Sequence, residues 1–470
     1  MHTVNFDDSG EIKDDVFDAA MDLDGKELTQ VEENPRPVGE ISVTLSPQVV
    51  SISNVALERS TASLISSGAG GLRHHLRRHS RKYIIGSSVL GVIVAAIVIL
   101  MIIIGIASVI ASILLYFYYM NECFVDVTNN STLSALMGKY RFGTNGEYRI
   151  AFVGDQGNSQ HTKDVWKSIK NMEPDIVVGL GDFDYIDDPG VYFETMDANL
   201  GKNIPFIAAV GNHDVAKWKG FDGYQCRIAR RMHDLGVFEH CLGEVGIDQL
   251  CIFGGIPLVL SQLRVFGGDG SVDTEKITQH LADLDTAETI DASGQNGLQF
   301  PLRFCVWHFN MADLQPETKG DQADINAYEA CRKHNALVFN GHAHAYGRTK
   351  LMSDFVNLKQ DNIDYTVTNG SQCCLPSSLS QQGSSKCSPQ RCDTMKMQRG
   401  ESLVVVQGNG GLSLRDLGTA SKASYYAASD NTHYAFTLCT FRGQSEALCH
   451  NVDEAGNTWD AYKIVASNAL

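Results

Sequence analysis

The sequence predicts an α/β domain preceded by a single transmembrane helix and a disordered N-terminal tail. Three observations carry that prediction. Composition changes abruptly along the chain, from acidic to basic to wholly apolar to mixed. An almost unbroken run of Ile, Val, Leu and Ala extends from Leu90 to Leu115. Beyond it, short apolar segments stop repeatedly at a glycine that is followed by Asp, Asn or His. With 470 residues, 43 % of them hydrophobic, the chain can bury a sizeable core. Its net charge of -17 argues against a nucleic-acid partner, because coating a duplex needs basic side chains that displace counterions.

Residues 1–82 read as a cytosolic tail. The first 40 carry twelve acidic side chains against Lys13, Lys26 and Arg36. Few aromatics, no sustained helical period, and Pro35 and Pro37 point to a solvated, disordered segment. A Ser-rich stretch from Ile41 to Gly71 leads to the basic cluster Arg73, Arg77, Arg78, Arg81 and Lys82.

Residues 83–120 read as a signal-anchor helix. No charged side chain intervenes between Lys82 and Glu122, and the apolar run exceeds the roughly 20 residues that cross a bilayer core. A cleaved signal peptide would occupy roughly the first 15–30 residues, and a buried core helix packed within a soluble domain would need a polar face that is absent here. Positive charge stays on the cytosolic side, and Tyr116, Phe117, Tyr118 and Tyr119 form an aromatic belt at the far interface. The expectation is a type II membrane protein with the lipid bilayer as partner, residues 121–147 a stalk, and residues 148–470 a lumenal or extracellular domain.

The cysteines and sequons agree with that orientation. All twelve cysteines fall at or after Cys123, on the side where disulfides persist. Cys373, Cys374, Cys387 and Cys392 lie in a Ser/Gln-rich loop, which reads as locally stapled; a zinc site is the rival reading. N-glycan acceptors occur at Asn129, Asn130 and Asn369.

From Tyr148 the pattern is α/β. Tyr148 to Val153 is a short apolar run that reads as a buried strand and ends in Gly154-Asp155-Gln156-Gly157. Thr162 to Met172 has helical composition and is closed by Pro174. Ile176 to Leu180 ends in Gly181-Asp182-Phe183-Asp184-Tyr185. Ile204 to Val210 ends in Gly211-Asn212-His213-Asp214, and Ala336 to Phe339 leads into Gly341-His342-Ala343-His344. Phe304 to His308 is a further strand with His at its end. Glycine permits the sharp turn off a strand, and open α/β sheets bind ligands outside the carboxyl ends of their strands. One such Gly-Asp is usually only a turn; four of them, with this residue set, would converge oxygen and nitrogen ligands on one crevice. His342 and His344, two apart, would point the same way from an extended segment, as two adjacent metals require.

That donor set suits phosphate-ester hydrolysis. The reaction needs a nucleophile at neutral pH and charge stabilisation on both attacking and leaving oxygens. Two cations about 3.5–4 Å apart supply both. Mixed carboxylate, amide and imidazole ligands suit iron, manganese or zinc rather than thiolate-bound metals.

The ordered motifs Gly-Asp-x-Gly, Gly-Asp-x-x-Tyr, Gly-Asn-His-Asp, a strand-end His and Gly-His-x-His resemble the calcineurin-like metallophosphoesterases, and among them most nearly the purple acid phosphatases. The resemblance spans roughly residues 148–450 and includes Gly341 to Arg348 and His433 to Phe436. It implies a four-layer α/β/β/α sandwich and two metal ions, Fe(III) plus Fe, Zn or Mn. One ion would take Asp155, Asp182, Tyr185 and His344; the other would take Asp182, Asn212, His308 and His342. His213 would serve as the outer acid or hydrogen-bond donor, with Asp214 orienting it. The implied activity is hydrolysis of phosphate monoesters by a metal-bound hydroxide. A phosphodiesterase on nucleotides or lipid head groups, or a non-enzymatic binding protein on the same fold, are the alternatives.

This chain departs from the pattern in four places. Most of the wider superfamily has Asp-x-His in the first motif, whereas Asp155 is followed here by Gln156 and Gly157, and Tyr185 would replace the missing imidazole as a phenolate; otherwise Tyr185 is a packed loop aromatic. Asp214 stands where Glu is commoner. Phe309 to Glu317 lacks the second histidine pair of the large plant enzymes. Residues 121–147 are too few for their β-sandwich domain.

Overall fold

The computed structural model describes residues 90–114, 147–291, 300–361, 365–369 and 391–467. The tail, the basic cluster, the aromatic belt, Asn129, Asn130, Cys373, Cys374 and Cys387 lie outside the described residues. By contacts the chain divides into Met1–Gly91 and Val92–Leu470. Helix α1 (Leu90–Leu114) is long and apolar enough to cross a membrane, and its side chains are exposed.

From Glu147 onward the chain builds two eight-stranded sheets. The first runs, in spatial order, β12 (Tyr365–Asn369), β13 (Arg391–Met397), β18 (Thr458–Ala466), β17 (Glu446–Asp453), β16 (Ala435–Arg442), β1 (Glu147–Val153), β2 (Ile176–Gly179) and β3 (Phe206–Ala208). The second runs β15 (Tyr426–Asp430), β9 (Tyr346–Thr349), β14 (Val404–Gln407), β8 (Ala336–Asn340), β7 (Arg303–Trp307), β6 (Ile256–Ser261), β5 (Asp248–Phe253) and β4 (Cys241–Glu244). A small hairpin, β10 (Met352–Asp354) with β11 (Lys359–Gln360), stands apart. The sheets pack face to face through aromatics: Phe152 of β1 lies 4.2 Å from Phe339 of β8 and 5.4 Å from Phe304 of β7, ring centre to ring centre.

Helices cover both outer faces. Helix α2 (Gln160–Asn171) starts where the Ser159 side chain accepts a hydrogen bond from the Thr162 N–H, as an N-cap should. Its buried Thr162, Val165, Trp166 and Ile169 follow helical spacing. With α3 (Pro189–Asn199) and α5 (Tyr224–Asp234), beyond the one-turn α4 (Val215–Trp218), it covers the first sheet; Trp166 and Tyr192 both meet Phe206. Helices α6 (Ser271–Asp291) and α7 (Ile325–Lys333) cover the second, where Tyr328 packs edge-on to Trp307 at 4.9 Å. The fold is therefore the four-layer α/β/β/α sandwich.

Two differences from the sequence reading have local causes. The third strand is only Phe206–Ala208, because Pro205 brings no N–H to a ladder. The half of the first sheet from β16 to β18 is antiparallel, a feature the parallel pattern of the earlier motifs did not foretell.

Among the described residues, the disulfides Cys241–Cys251, Cys305–Cys331 and Cys439–Cys449 reinforce these layers. Cys241–Cys251 and Cys439–Cys449 each bridge directly opposed residues of a hairpin. Cys305–Cys331 ties β7 to α7. Cys226 and Cys392 are also disulfide-bonded, and no described cysteine is free. Closing 26 residues with Cys305–Cys331 restricts the unfolded chain enough to add about 3 kcal/mol of stability. The double variant Cys305→Ser/Cys331→Ser should lose about that amount in a denaturant titration; a loss below about 1 kcal/mol would show that the loop stays compact when unfolded.

Candidate metal centre

Strands β1 and β2 are parallel, as are β2 and β3, and β7 and β8. Their carboxyl ends therefore open on one edge of the sandwich, and the loops there carry the motif residues. Close approach explains the glycines. A Cβ on Gly341 would stand 2.6 Å from the Leu180 carbonyl oxygen and 2.8 Å from Asp155 Oδ2. One on Gly211 would collide with Asp182. Four of the motif side chains sit on left-handed backbone, with φ of 54° at Asp155, 55° at Asp182, 57° at Tyr185 and 68° at His342. Such positions cost of order 1–3 kcal/mol each and cluster where function requires them. His342 therefore does not lie in an extended segment, and its ring and that of His344 serve different neighbours.

His308, buried just past β7, organises one half of the centre. Its Nδ1–H donates to the Leu180 carbonyl at 2.8 Å. That bond leaves Nε2 facing Asn212 Oδ1 at 3.0 Å, Asp182 Oδ2 at 3.1 Å and His342 Nδ1 at 3.2 Å. The outer nitrogen of His342 lies 2.6 Å from Gln322 Oε1, so it is the protonated one. Four lone-pair groups thus converge on one point, and a single proton cannot satisfy them. A cation can, and Asp182, His308 and His342 form a buried set of metal-ligand geometry.

The other half lies beside it. Tyr185 Oη is 3.0 Å from Asp155 Oδ1 and 3.1 Å from His344 Nε2, and His344 Nε2 is 3.6 Å from Asp155 Oδ1. The other nitrogen of His344 donates to the Ser413 carbonyl at 3.0 Å, which again turns a lone pair inward. Asp182 stands between the halves, its Oδ1 accepting the His213 N–H at 2.9 Å.

The charges are strongly interdependent. Burial alone disfavours protonated His308, but the Asp182 and Asp155 carboxylates outweigh it and push His308 up to about 9. Burial raises Asp155 to about 7, with repulsion from Asp182 adding to it and His308 and Lys319 opposing it. Burial also holds His342 and His344 well below the ordinary imidazole value, helped by the positive charges of Lys319 and Arg415. Neutral imidazoles are the form that binds metals. Burial and the Asp155 charge push the Tyr185 phenol well above its usual range, so the protein groups by themselves oppose a phenolate.

His213 packs against Tyr185, ring centres 4.4 Å apart, with its imidazole half-exposed. Asp214 is placed differently from the sequence expectation. Its buried carboxylate accepts the N–H groups of Asp182, Phe183 and Gly211 at 2.7–2.9 Å, so it laces the β2 and β3 loops together rather than holding the His213 ring. Asp184 likewise caps its own turn, accepting from Ile186, Asp187 and Asp188 N–H and from Tyr224 Oη.

Sequence reasoning missed Glu317, Lys319, Gln322 and Arg415, all of which touch this cluster. The first three lie in a loop without periodicity. Arg415 had a readable signal: β14 ends in Gly408-Asn409-Gly410-Gly411, the same strand-then-glycine signature, and a Cβ on Gly408 would stand 2.8 Å from Asp155 Oδ2.

The four-layer sandwich thus carries at its strand ends a buried Asp/His group able to hold a metal ion. Residues 148–346 match the family described as calcineurin-like phosphoesterases. Three solved structures show the low-identity range of the likeness. A purple acid phosphatase from yellow lupin (Lupinus luteus) seeds is 16 % identical over 70 % of this chain, with a TM-score of 0.44. Since 55 % of the lupin chain is covered, this chain spans little more than half the length of that structure. GAP50, described as the anchor in the inner membrane complex of Plasmodium, is 10 % identical over 68 % of this chain and 90 % of its own, with a TM-score of 0.41. PhoD is 11 % identical over 68 % of this chain and 72 % of its own, with a TM-score of 0.38. No curated protein matches in sequence.

Proposed function

We propose that the protein is a membrane-anchored phosphatase that hydrolyses phosphate monoesters at a pair of metal ions, in the manner of the purple acid phosphatases. The convergence of Asp182, Asn212 and His342 on the inward nitrogen of His308 is the observation that carries this reading. Asp155, Tyr185 and His344 would hold one ion, Asn212, His308 and His342 the other, and Asp182 would serve both. The pair supplies an activated water and neutralises charge on the phosphoryl oxygens. His213 would act on the substrate from beside Tyr185, donating to a phosphoryl or leaving-group oxygen. Asp214 would keep the Asp182 and Asn212 loops in register. The metal set would be Fe(III) with Fe, Zn or Mn if Tyr185 is a ligand, since only a strongly acidic cation would reverse the protein's own opposition to a phenolate.

Metal analysis of the full chain in detergent, with its visible spectrum, tests the reading. About two metals per chain and hydrolysis of a monoester would support it; folded protein without metal would overturn it. Tyr185→Phe should abolish a visible charge-transfer band and leave the unfolding midpoint nearly unchanged. An unaltered spectrum would take Tyr185 off the metal.

The location proposed is type II: tail and basic cluster in the cytosol, α1 across the bilayer, and residues 121–147 a stalk leading to a lumenal or extracellular catalytic domain. The apolar helix and the disulfides C-terminal to it support this, as would N-glycans at Asn129, Asn130 or Asn369. Protease protection of the catalytic domain in sealed vesicles is the expected result; digestion there would invert the topology.

A further inference from the structure

We propose that Lys319 and Arg415 bind the phosphoryl group of the substrate and make the centre selective for the dianion of a monoester over the monoanion of a diester, an inference that rests on the phosphatase reading above. Both cations are hydrogen-bonded to the short segment that carries His342 and His344, from elsewhere in the chain. Lys319 Nζ donates to the His342 carbonyl at 3.0 Å and lies 3.2 Å from the outer nitrogen of the same ring. That nitrogen gives its proton to Gln322, so the ammonium sits at the rim of His342 without competing for its inward lone pair.

The backbone beneath Lys319 is firmly held. Gln315, fully buried, donates to the Lys319 and Gly320 carbonyls at 3.1 and 3.4 Å. Gln322 N–H and Ala323 N–H both donate to the Asn310 carbonyl, and Asn310 Nδ2 donates to the Gly341 carbonyl at 2.7 Å. The loop is thereby tied to the strand end that supplies His342.

Arg415 is tethered to the second histidine. Its backbone N–H donates to the His344 carbonyl at 3.1 Å. Its guanidinium meets Glu317 at 3.3 Å, and the other oxygen of Glu317 accepts the His344 N–H at 3.1 Å. The two charges act on both halves of the donor set: Lys319 on Asp155, His342 and His344, and Arg415 on Tyr185, His342 and His344. His213 meets the cluster from the Tyr185 side, so cationic and imidazole donors flank the phosphoryl position on two sides.

The chemistry of the two ester classes then differs. A monoester dianion presents one more charged oxygen than a diester, and a guanidinium fork and an ammonium are the donors that match such oxygens. A diester replaces one of them with a second organic group that neither cation can bind.

The test uses the full chain in detergent, as wild type, Lys319→Met, Lys319→Arg and Arg415→Gln. The readouts are kcat/KM for nitrophenyl phosphate and bis(nitrophenyl) phosphate, inhibition by inorganic phosphate, and metal content. Lys319→Met should lower monoester kcat/KM by about 10–100-fold, the worth of one hydrogen bond to a charged group. It should weaken phosphate inhibition in parallel, change diester hydrolysis far less, and retain the metals. Arg415→Gln should shift selectivity the same way, and Lys319→Arg should restore most of the monoester preference. Equal losses on both esters, unchanged phosphate inhibition, or metal loss in Lys319→Met would each overturn the proposal while wild-type activity keeps the phosphatase reading. Wild-type protein that hydrolyses neither ester would remove that reading and this proposal together.

Discussion

Asp182→Asn should strip the centre of its metals and reduce turnover by about three orders of magnitude or more, beyond the roughly 10²–10³ that follows loss of a single transition-state contact. The reason lies in where Asp182 stands. One oxygen faces the inward nitrogen of His308, and the other accepts the His213 N–H between the two donor groups. Asparagine keeps the size and one acceptor but loses the charge and turns an NH₂ toward either partner. Even outer partners of metal ligands cost about 10–100-fold in affinity when removed, so a shared inner carboxylate should cost more. Metal analysis by mass spectrometry alongside nitrophenyl phosphate hydrolysis checks this. A variant with both metals and more than a few per cent activity would displace Asp182 from the shared position.

Asp214→Asn should act on stability first and on catalysis only as a consequence. The wild-type carboxylate accepts three backbone N–H groups from two loops in a buried site. An asparagine offers one oxygen in place of two and sets its own NH₂ against an N–H. Losing one such charged hydrogen bond and leaving a donor unmet costs about 3 kcal/mol or more. The expected results are a lowered unfolding midpoint and reduced metal content, because Asp182 and Asn212 sit on the loops that Asp214 joins. A variant that unfolds like wild type and binds metal fully, yet turns over slowly, would return Asp214 to the role of orienting His213.

The cation pair proposed at the rim and the lace at Asp214 illustrate the same limit on sequence reading. The strand-then-glycine signature located Asp155, Asp182, Asn212 and His342 because it is local: a buried strand, a sharp turn and a polar side chain are neighbours in the chain. His308 was legible for the same reason, at the end of the apolar run Phe304 to Trp307. Lys319 carries no such mark. Its loop has no period, and its partner His342 is 23 residues away. The direction of the Asp214 carboxylate was equally hidden, since two of the N–H groups it accepts belong to Asp182 and Phe183, more than thirty residues earlier.

What the sequence determined by itself is therefore the inventory: an apolar helix, α/β layers after Tyr148, and a set of oxygen and nitrogen donors at strand ends. Composition and periodicity are properties of short stretches, and burial selects for them one element at a time. Only the tertiary structure decided how that inventory is arranged. The face-to-face packing of the two sheets brings the β2 loop of one against the β7 and β8 loops of the other, 126 residues apart between Asp182 and His308 in number but 3.1 Å apart in space. It also set which nitrogen of each histidine turns inward, because the Leu180, Gln322 and Ser413 groups that take the opposite protons come from three distant loops. Hydrogen-bond direction is fixed by such long-range neighbours, and no window of sequence contains them.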